Sequence, residues 1–218
     1  MSENRPVYRA ARVVDAARLR ELYDPPRGRA VTKELRRLDR HCRRFIELSP
    51  FVVVASGAAE GHFDASPRGG EPGFVHVADD RTLLIPDSPG NNRLDTMENI
   101  LSTGKVGLLF LIPGIDETLR VNGAARLVEH AGVLARFAAM KRPPKLAIEV
   151  TVAQAYLHCA KAFLRSRLWT GEYAQPKGTF PSIGRMVGDQ IGLTEEEKQQ
   201  REVMIERNYK DGLWAHTS

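Results

Sequence analysis

The sequence lacks the residues and runs that mark several large classes of protein. It contains two cysteines, Cys42 and Cys159, and neither belongs to a C-x-x-C pair, so neither a zinc site nor a thioredoxin-like site is indicated. The longest apolar run, Val106–Ile112, is far shorter than the roughly 20 residues of a membrane span. The opening segment MSENRPVYRA lacks the apolar core of a signal peptide. We therefore expect a cytoplasmic protein that neither binds a metal nor crosses a membrane.

Common catalytic and nucleotide-binding motifs are absent as well. The sequence has no G-x-G-x-x-G dinucleotide loop, no Walker A loop, no H-E-x-x-H helix and no G-x-S-x-G elbow. Its six histidines are scattered and do not have the spacing of metal ligands. These absences argue against metal catalysis and leave the catalytic residues unassigned.

The overall composition is that of a folded globular protein. Of the 218 residues, 42% are hydrophobic and 27% are charged, which are ordinary fractions and predict one domain with extensions. The 32 basic residues exceed the 27 acidic ones, so the net charge is +5. Part of this surplus is clustered at Arg36, Arg37, Arg40, Arg43 and Arg44. Such a cluster could contact nucleic acid or a phosphorylated small molecule, but helical periodicity favours a solvated helix face.

The first fifty residues have the periodicity of helices. Apolar residues recur at helical spacing in Ala11–Leu22 and again in Thr32–Leu48. Between the two segments, Asp24, Pro25 and Pro26 end the first helix. The second helix is predicted to have one apolar face that consists of Leu35, Leu38, Cys42, Phe45 and Ile46.

From Pro50 onward the pattern changes to short strands that are separated by Gly, Pro and Asp, as is typical of an antiparallel barrel or sandwich. Strands are predicted at Phe51–Ser56, His62–Ser66, Gly73–Val77, Thr82–Ile85, Lys105–Ile112, Glu117–Val128 and Leu146–Val152. Helices are predicted at Thr96–Thr103, Ala131–Met140 and Gln154–Arg165, and from a capping box at Thr194 and Glu197 to Tyr209. The chain is thus predicted to comprise a helical extension (1–49), a barrel domain (50–170) and a helical tail (171–218).

The segment Leu83–Ile100 joins a strand to a helix through a polar loop. Asn91, Asn92 and Arg93 bring amide and guanidinium donors close to the start of that helix. Because a helix N-terminus exposes N–H groups and the positive end of its dipole, this combination favours a phosphate group. Asp95 would repel a phosphate unless it capped the helix instead. The loop is therefore either a phosphate site or a well-capped connection.

A glycine-rich segment, Asp64–Gly73, is the second candidate. Its three glycines and two prolines leave little side chain to pack, so the segment is either a plain connection or a backbone that closely approaches a ligand. Ser66 and Arg68 would be its polar contacts.

Two further places combine unusual residue types. Arg120 and Asn122 lie two positions apart and so share one face of a predicted strand, where they either meet a ligand or partner or face solvent. Trp169 could stack on a flat ring, with Lys161 and Arg165 on one helix face. The alternative is a core tryptophan beside two solvated cations.

Four segments, taken together and in order, resemble a known family: SPRGGEPGFV, LLIPDSPGNNRLDTMENIL, GLLFLIPGIDETLRVNGAARL and HCAKAFLRSRLW. They are similar to the pyridoxamine 5′-phosphate oxidase-like flavoproteins (the PPOX class), and especially to its bacterial branch of FMN-dependent enzymes. The resemblance covers about residues 50–170. It implies a mainly β fold with flanking α-helices (α+β), an antiparallel Greek-key split β-barrel that binds FMN. It also implies a homodimer with FMN at the subunit interface.

The resemblance further implies cofactor-binding roles for individual positions. Residues expected at the FMN phosphate are Asn91, Asn92 and Arg93. Residues expected beside the isoalloxazine ring are Ser66, Pro67, Arg68, Ile85 and Pro86. Residues expected near the flavin or the dimer contact are Arg120 and Asn122, with Trp169 closing the site from the second subunit.

The C-terminal segment differs from that of pyridoxamine phosphate oxidases, since it has no counterpart of their substrate-gripping Arg-x-His element. The resemblance therefore does not extend to oxidation of the vitamin. We expect an FMN-dependent oxidoreductase that acts on an unidentified small molecule, with the redox chemistry supplied by the flavin. A non-catalytic flavin-binding or carrier protein is the alternative, and nucleic-acid binding through the arginine cluster is a third, weaker possibility.

Overall fold

A computed structural model describes residues 14–88 and 90–211 of the chain. These residues divide at Glu34/Leu35 into two compact units. The first unit contains helix α1 (Ala16–Leu22) and the single turn α2 (Arg29–Thr32). The side chain of Asp15 caps α1 by accepting a hydrogen bond from the backbone N–H of Arg18 at 2.8 Å. The predicted helix at Ala11–Leu22 is confirmed from Ala16, and residues 11–13 lie outside the described residues.

The second unit contains the remaining elements. Its strands are β1 (Phe51–Gly57), β2 (Phe63–Gly69), β3 (His76–Val77), β4 (Thr82–Pro86), β5 (Lys105–Leu111), β6 (Thr118–Val128) and β7 (Ala147–His158). Its helices are α3 (Arg40–Leu48), α4 (Asp95–Thr103), α5 (Ala131–Leu134), α6 (Lys161–Ser166), α7 (Ile183–Ile191) and α8 (Glu195–Asp211), with a 3₁₀ turn at Ala135–Phe137.

The strands form one antiparallel sheet in the order β2-β1-β5-β6-β7-β4-β3. Alternate side chains of most strands meet in a single core, which the apolar face of α3 also enters. Members of this core with less than 2% exposure include Ile46, Val52, Val54, Leu83, Ile85, Leu108, Phe110, Leu119, Val121, Ile148 and Val150. A sheet that directs one face of its strands into a shared core is a curled, barrel-like sheet. The predicted mainly β, antiparallel fold with flanking helices is therefore confirmed.

The predicted helix Thr32–Leu48 is wrong in its first half. Leu35 forms an isolated β-bridge with Ala155, to which its N–H donates at 2.9 Å. Helix α3 begins only at Arg40, because the side chain of Asp39 caps it and accepts from the N–H of Cys42 at 2.8 Å. Within α3 the predicted apolar face is correct, since Cys42, Phe45 and Ile46 are buried.

The predicted helix Gln154–Arg165 is also wrong over its first residues. Strand β7 continues to His158 because β6 offers it a partner along its length, and a β-bulge opposite Asn122/Gly123 accommodates the one extra residue of β7. Only Lys161–Ser166 is helical. The predicted strand Gly73–Val77 is reduced to the pair His76–Val77.

The C-terminal helices are partly as predicted. The capping box is confirmed, because the N–H of Glu197 donates to the Thr194 hydroxyl at 3.3 Å and the Glu197 carboxylate accepts from the N–H of Thr194 at 2.8 Å. Helix α7 has no counterpart among the predicted elements. Its Gly184 and Gly188 lie against α8, where an added Cβ would come within 3.1 Å and 2.7 Å of α8 atoms. Small residues at this spacing let the two helices pack closely.

Among the helices of residues 14–88 and 90–211, none is long and apolar enough to cross a membrane. The predicted division into residues 1–49, 50–170 and 171–218 stays a prediction, although residues 38–46 contribute to the barrel core.

The two cysteines differ in their surroundings and therefore in their expected reactivity. Burial, together with a hydrogen bond to Asp39, raises the pKa of the Cys42 thiol to about 11, whereas Cys159 is exposed. Because the thiolate is the reactive form, we expect iodoacetamide at pH 8 to modify Cys159 alone in the native protein and both cysteines after denaturation. Mass spectrometry of the labelled chain checks this, and native modification of Cys42 would contradict its burial.

Candidate functional site

A groove lies between strand β2 and the segment that leads from β4 into α4. Strand β2 alternates in burial, and Asp64, Ser66 and Arg68 share its inward face. They share it because their partners in β1 are the buried residues Ser56, Val54 and Val52. The groove has a volume of about 330 Å³ and is lined by Asp64, Ala65, Ser66, Pro67, Asn91, Arg93, Asp95 and Thr96.

One side-chain contact connects the walls of this groove, and a second lies just beyond its lining. The hydroxyl of Thr96 donates a hydrogen bond to the carboxylate of Asp64. Four residues further along β2, Arg68 lies 3.9 Å from the carboxylate of Asp87. The Arg68 side chain is only 18% exposed, and its Nε is buried without a hydrogen-bond partner among the described residues. A buried N–H of this kind is costly unless something accepts from it.

Arg93 is the exposed cation of the groove. Its Nε donates to the Asp95 carboxylate at 2.5 Å, and its backbone N–H donates to the side chain of Asn91 at 3.1 Å. The hydrogen bond and charge of Asp95 raise the pKa of the Arg93 guanidinium, with a smaller contribution from the charge of Asp64. Within the described residues, the two terminal guanidinium nitrogens have no hydrogen bond. They are thus available to an anion.

Helix α4 directs its N-terminus toward the groove and is held firmly against the sheet. The Asn99 amide donates to the Ser56 hydroxyl at 3.0 Å, and the Thr103 hydroxyl donates to the Gly57 carbonyl at 2.9 Å. The N-cap residue is Leu94, and no side chain caps the helix. Of the two possibilities for Asp95, it therefore does not cap the helix, and its carboxylate binds Arg93. An uncapped N-terminus retains N–H groups that can bind an anion.

Asn92 lies beside the groove and does not line it. Its backbone has a positive φ of 58°, which asparagine tolerates better than most residues. This conformation contributes to the turn that presents Asn91 and Arg93.

Ile85 and Pro86 lie behind the groove and are buried, with Ile85 at 0% exposure. The side chain of Ile85 belongs to the barrel core. At 0% exposure, neither the side chain nor the backbone of Ile85 is accessible to a ligand in the groove of one chain.

The outer face of the sheet carries a second hollow. Ala55, Gly107, Asn122 and Gln154 lie directly opposite one another on four successive strands, and the amide of Asn122 donates to the side chain of Gln154. The hollow has a volume of about 720 Å³ and is lined mostly by small or apolar residues, including Ala55, Gly57, Gly107, Asn122, Ala124 and Phe63. Phe63 is 88% exposed.

Arg120 shares this outer face with Asn122, as predicted from their spacing. Its guanidinium donates to the Tyr156 hydroxyl at 2.9 Å and lies 5.6 Å from the centre of that ring. Trp169 lies elsewhere, where its indole N–H donates to the carbonyl of Ile115 at 3.0 Å and its ring stacks on Phe163. Arg120, Asn122 and Trp169 do not line the groove of one chain. Their roles at a flavin therefore stay predictions.

The clustered arginines at 36–44 are partly neutralised. Arg37 lies 3.6 Å from Asp80 and Arg44 lies 3.2 Å from Glu47, with all four side chains well exposed. This pairing is typical of a solvated surface. In the described part of the chain, no three His, Cys, Asp or Glu side chains are grouped as metal ligands would be.

Sequence reasoning missed two polar residues that line the groove, Asp64 and Thr96. The alternation of β2 would have indicated Asp64, since it lies two positions before Ser66. The predicted strand ended at Ser66, however, because the following proline and glycines resembled a loop. Strand β2 instead continues to Gly69 and accommodates Pro67 because it is an edge strand of the sheet.

Comparison with known protein families gives a match over the barrel. The profile of the pyridoxamine 5′-phosphate oxidase family matches residues 38–159, which is more than half of the chain and includes all residues of the groove. No curated protein matches the sequence.

Several solved structures have a similar fold. HupZ from Group A Streptococcus is 17% identical, with 55% of this chain and 93% of that chain covered and a TM-score of 0.47. An FMN-binding protein from Syntrophomonas wolfei is 13% identical, with coverages of 54% and 83% and a TM-score of 0.44. An FAD binding protein from Mycobacterium smegmatis is 15% identical, with coverages of 57% and 97% and a TM-score of 0.40. On the strength of the match over residues 38–159, the chain belongs to the pyridoxamine 5′-phosphate oxidase family.

Proposed function

We propose that the chain binds FMN, with the phosphate in the groove between β2 and α4, and that it is an FMN-dependent oxidoreductase acting on a small molecule. The observation that carries this proposal is the convergence of Arg93, Ser66 and Asn91 at the uncapped N-terminus of α4. A phosphate monoester needs charge-assisted and backbone hydrogen bonds, and this end of the groove supplies both kinds.

The residues present fit such a headgroup. The terminal nitrogens of Arg93, the Ser66 hydroxyl and the first-turn amides of α4 would hold the phosphate. The buried Nε of Arg68, which lacks a partner within the described chain, is a further donor on the same face of β2, beside the groove. The groove volume of about 330 Å³ is at the lower end of the roughly 300–1,000 Å³ that is usual for small-molecule sites. The headgroup therefore suits the groove better than the whole flavin, and the ring would extend beyond it along β2.

The chemistry would divide between cofactor and chain. FMN, when bound, supplies hydride and electron transfer. The chain supplies binding and orientation, through Arg93 in the groove and Arg68 beside it and through the backbone of an edge strand that a flat ring can approach closely. We assign no nucleophile to the chain.

We further propose that a second copy of the chain covers the outer face of the sheet. An apolar hollow of about 720 Å³ beside a phenylalanine that is 88% exposed is unusual on a monomer surface. In the dimer implied by the family resemblance, Asn122 and Arg120 would lie at the subunit contact, and Trp169 could reach the partner's flavin.

Reconstitution and turnover test the proposed function. Purified protein is mixed with FMN, freed of unbound flavin and examined for bound flavin absorbance, and NADH and NADPH are then supplied with candidate acceptors. Bound flavin with turnover supports the oxidoreductase. Bound flavin without turnover favours the flavin carrier, and protein that cannot retain or titrate FMN contradicts both.

A substitution in the apolar hollow tests the proposed dimer. Phe63→Asp places a charge in the apolar hollow, and we expect it to convert the dimer to a monomer, because burying an unpaired charge in an interface is costly. Light scattering after gel filtration measures the mass. Phe180→Asp is the matched control, since Phe180 is 75% exposed and does not line the hollow. A wild-type protein that is monomeric, or a Phe63→Asp protein that remains dimeric, would contradict the proposed interface.

A further inference from the structure

We infer that Asp95 competes with the cofactor phosphate for the Arg93 guanidinium and thereby makes FMN an exchangeable ligand of this protein. This inference rests on the proposed function, because it concerns the same groove. It assigns to Asp95 the role of limiting phosphate affinity, which differs from an ordinary structural role at a helix start.

The first support is that the Asp95 carboxylate binds Arg93 and does not cap its own helix. An aspartate in the first turn of a helix ordinarily stabilises it through the helix dipole, and at the N-cap it would also bind the free amides. Asp95 is the first residue of α4 and not its cap. Its carboxylate accepts from Arg93 Nε at 2.5 Å, and both residues line the groove. The anion partner of Arg93 is thus already present in the chain.

The second support is the contrast between the ion pair in the groove, Arg93 with Asp95, and the pair beside it, Arg68 with Asp87. Arg68 and Asp87 have side chains that are only 18% and 23% exposed, so their positions are fixed by the surrounding chain. Arg93 and Asp95 are 76% and 45% exposed. Exposed pairs of this kind have little net stability and exchange partners readily. Arg93 is therefore the cation that an incoming phosphate can take over.

The third support is the negative charge of the Asp95 carboxylate, which remains in the groove after a phosphate has taken its place on Arg93. Asp64 also lines the groove, but the Thr96 hydroxyl already donates to it. Asp95 loses its cation, in whole or in part, when a phosphate binds Arg93. A carboxylate would then lie in the same groove as a phosphate that carries almost two negative charges near neutral pH. This repulsion opposes tight retention of FMN.

Asp95→Asn tests the inference, because it removes the charge and nearly preserves the shape. We expect FMN to bind about two- to fivefold more tightly, the size of effect typical of an exposed charge pair, and to dissociate correspondingly more slowly in stopped-flow experiments. Affinity is measured by titration of flavin fluorescence at low salt, and the difference should shrink at high salt. Riboflavin, which has no phosphate, should bind the variant and the wild type equally.

Glu98→Gln is the matched control. Glu98 lies in the same first turn of α4 and is exposed, but it does not line the groove. The substitution removes the same charge from the same helix end, so its FMN affinity should remain that of the wild type. Asp95→Ser, which also removes the charge, should bind FMN as tightly as Asp95→Asn.

The outcomes separate the inference from the proposed function. If the wild type binds FMN but both Asp95 variants bind it equally or more weakly, Asp95 does not compete and the inference is overturned. An equal gain in Glu98→Gln would also overturn it, because the effect would then belong to the helix dipole. If no form of the protein binds FMN, the proposed function itself fails and the inference fails with it.

Discussion

Replacement of Gly123 by alanine is expected to lower the free energy of unfolding by about 3 kcal/mol or more, at the upper end of the usual cost of overpacking. Gly123 lies in β6 opposite a β-bulge of β7, where the pairing register shifts by one residue. A Cβ at this position would be 2.2 Å from the carbonyl oxygen of Thr151 and 3.1 Å from Cγ1 of Val150. The nearest atom is backbone, so no side-chain rotation can relieve the overlap.

Urea denaturation measures this effect as a lower midpoint with an unchanged slope. Gly69→Ala is the control, because Gly69 is also in a strand but its Cβ would be 3.5 Å from the nearest atom, an ordinary contact. A Gly123→Ala protein as stable as Gly69→Ala would show that β6 and β7 do not approach each other as described.

Arg93→Ala is expected to weaken FMN binding by about ten- to hundredfold, because a charged hydrogen bond to the phosphate is lost. Riboflavin binding should change little, since the loss concerns the phosphate alone. Titration of both flavins with the wild type and the variant measures the difference.

Arg126→Ala is the control for this second prediction. Arg126 is 73% exposed and its Nε donates to Glu149 at 2.7 Å, much as Arg93 donates to Asp95, but it lies outside the groove. Removal of Arg126 should leave FMN affinity unchanged. Equal losses in the two variants would indicate a general effect of positive charge, and unchanged FMN affinity in Arg93→Ala would indicate that the phosphate binds elsewhere.

Much of the barrel could be predicted from local patterns. The short β-branched and apolar runs at Phe51–Ser56 and Lys105–Ile112 predicted strands whose inward residues do form the core. Strand β5 pairs with β1 and β6 as a central strand. The helix after the polar loop was also recognisable, because α4 buries Met97 and Ile100 at helical spacing. These features depend on a few neighbouring residues and so are visible in the sequence.

The errors arose where distant partners decide the conformation. Leu35 follows helical spacing with Leu38 and Cys42, but its backbone pairs with Ala155, which is 120 positions away. Residues 154–158 have apolar spacing that suits a helix, and they form a strand because β6 extends alongside them. Short apolar segments are ambiguous between helix and strand until the pairing is known.

The residues of the candidate site also divide into those that local sequence identifies and those that depend on distant parts of the fold. Asn91 and Arg93 were identified from their local chemistry, whereas Asp64 and Thr96 required the fold that brings β2 against α4. Ile85 was expected beside the flavin, but alternation within β4 turns its side chain into the core. The apolar hollow around Asn122 could not be seen either, since it combines small residues from four strands.

A crystal structure of the protein grown with FMN tests the central claim most directly. We predict phosphate density in the groove between β2 and α4, within hydrogen-bond distance of the Arg93 guanidinium and the Ser66 hydroxyl. An FMN phosphate bound outside this groove, with Arg93 still paired to Asp95, would contradict the account.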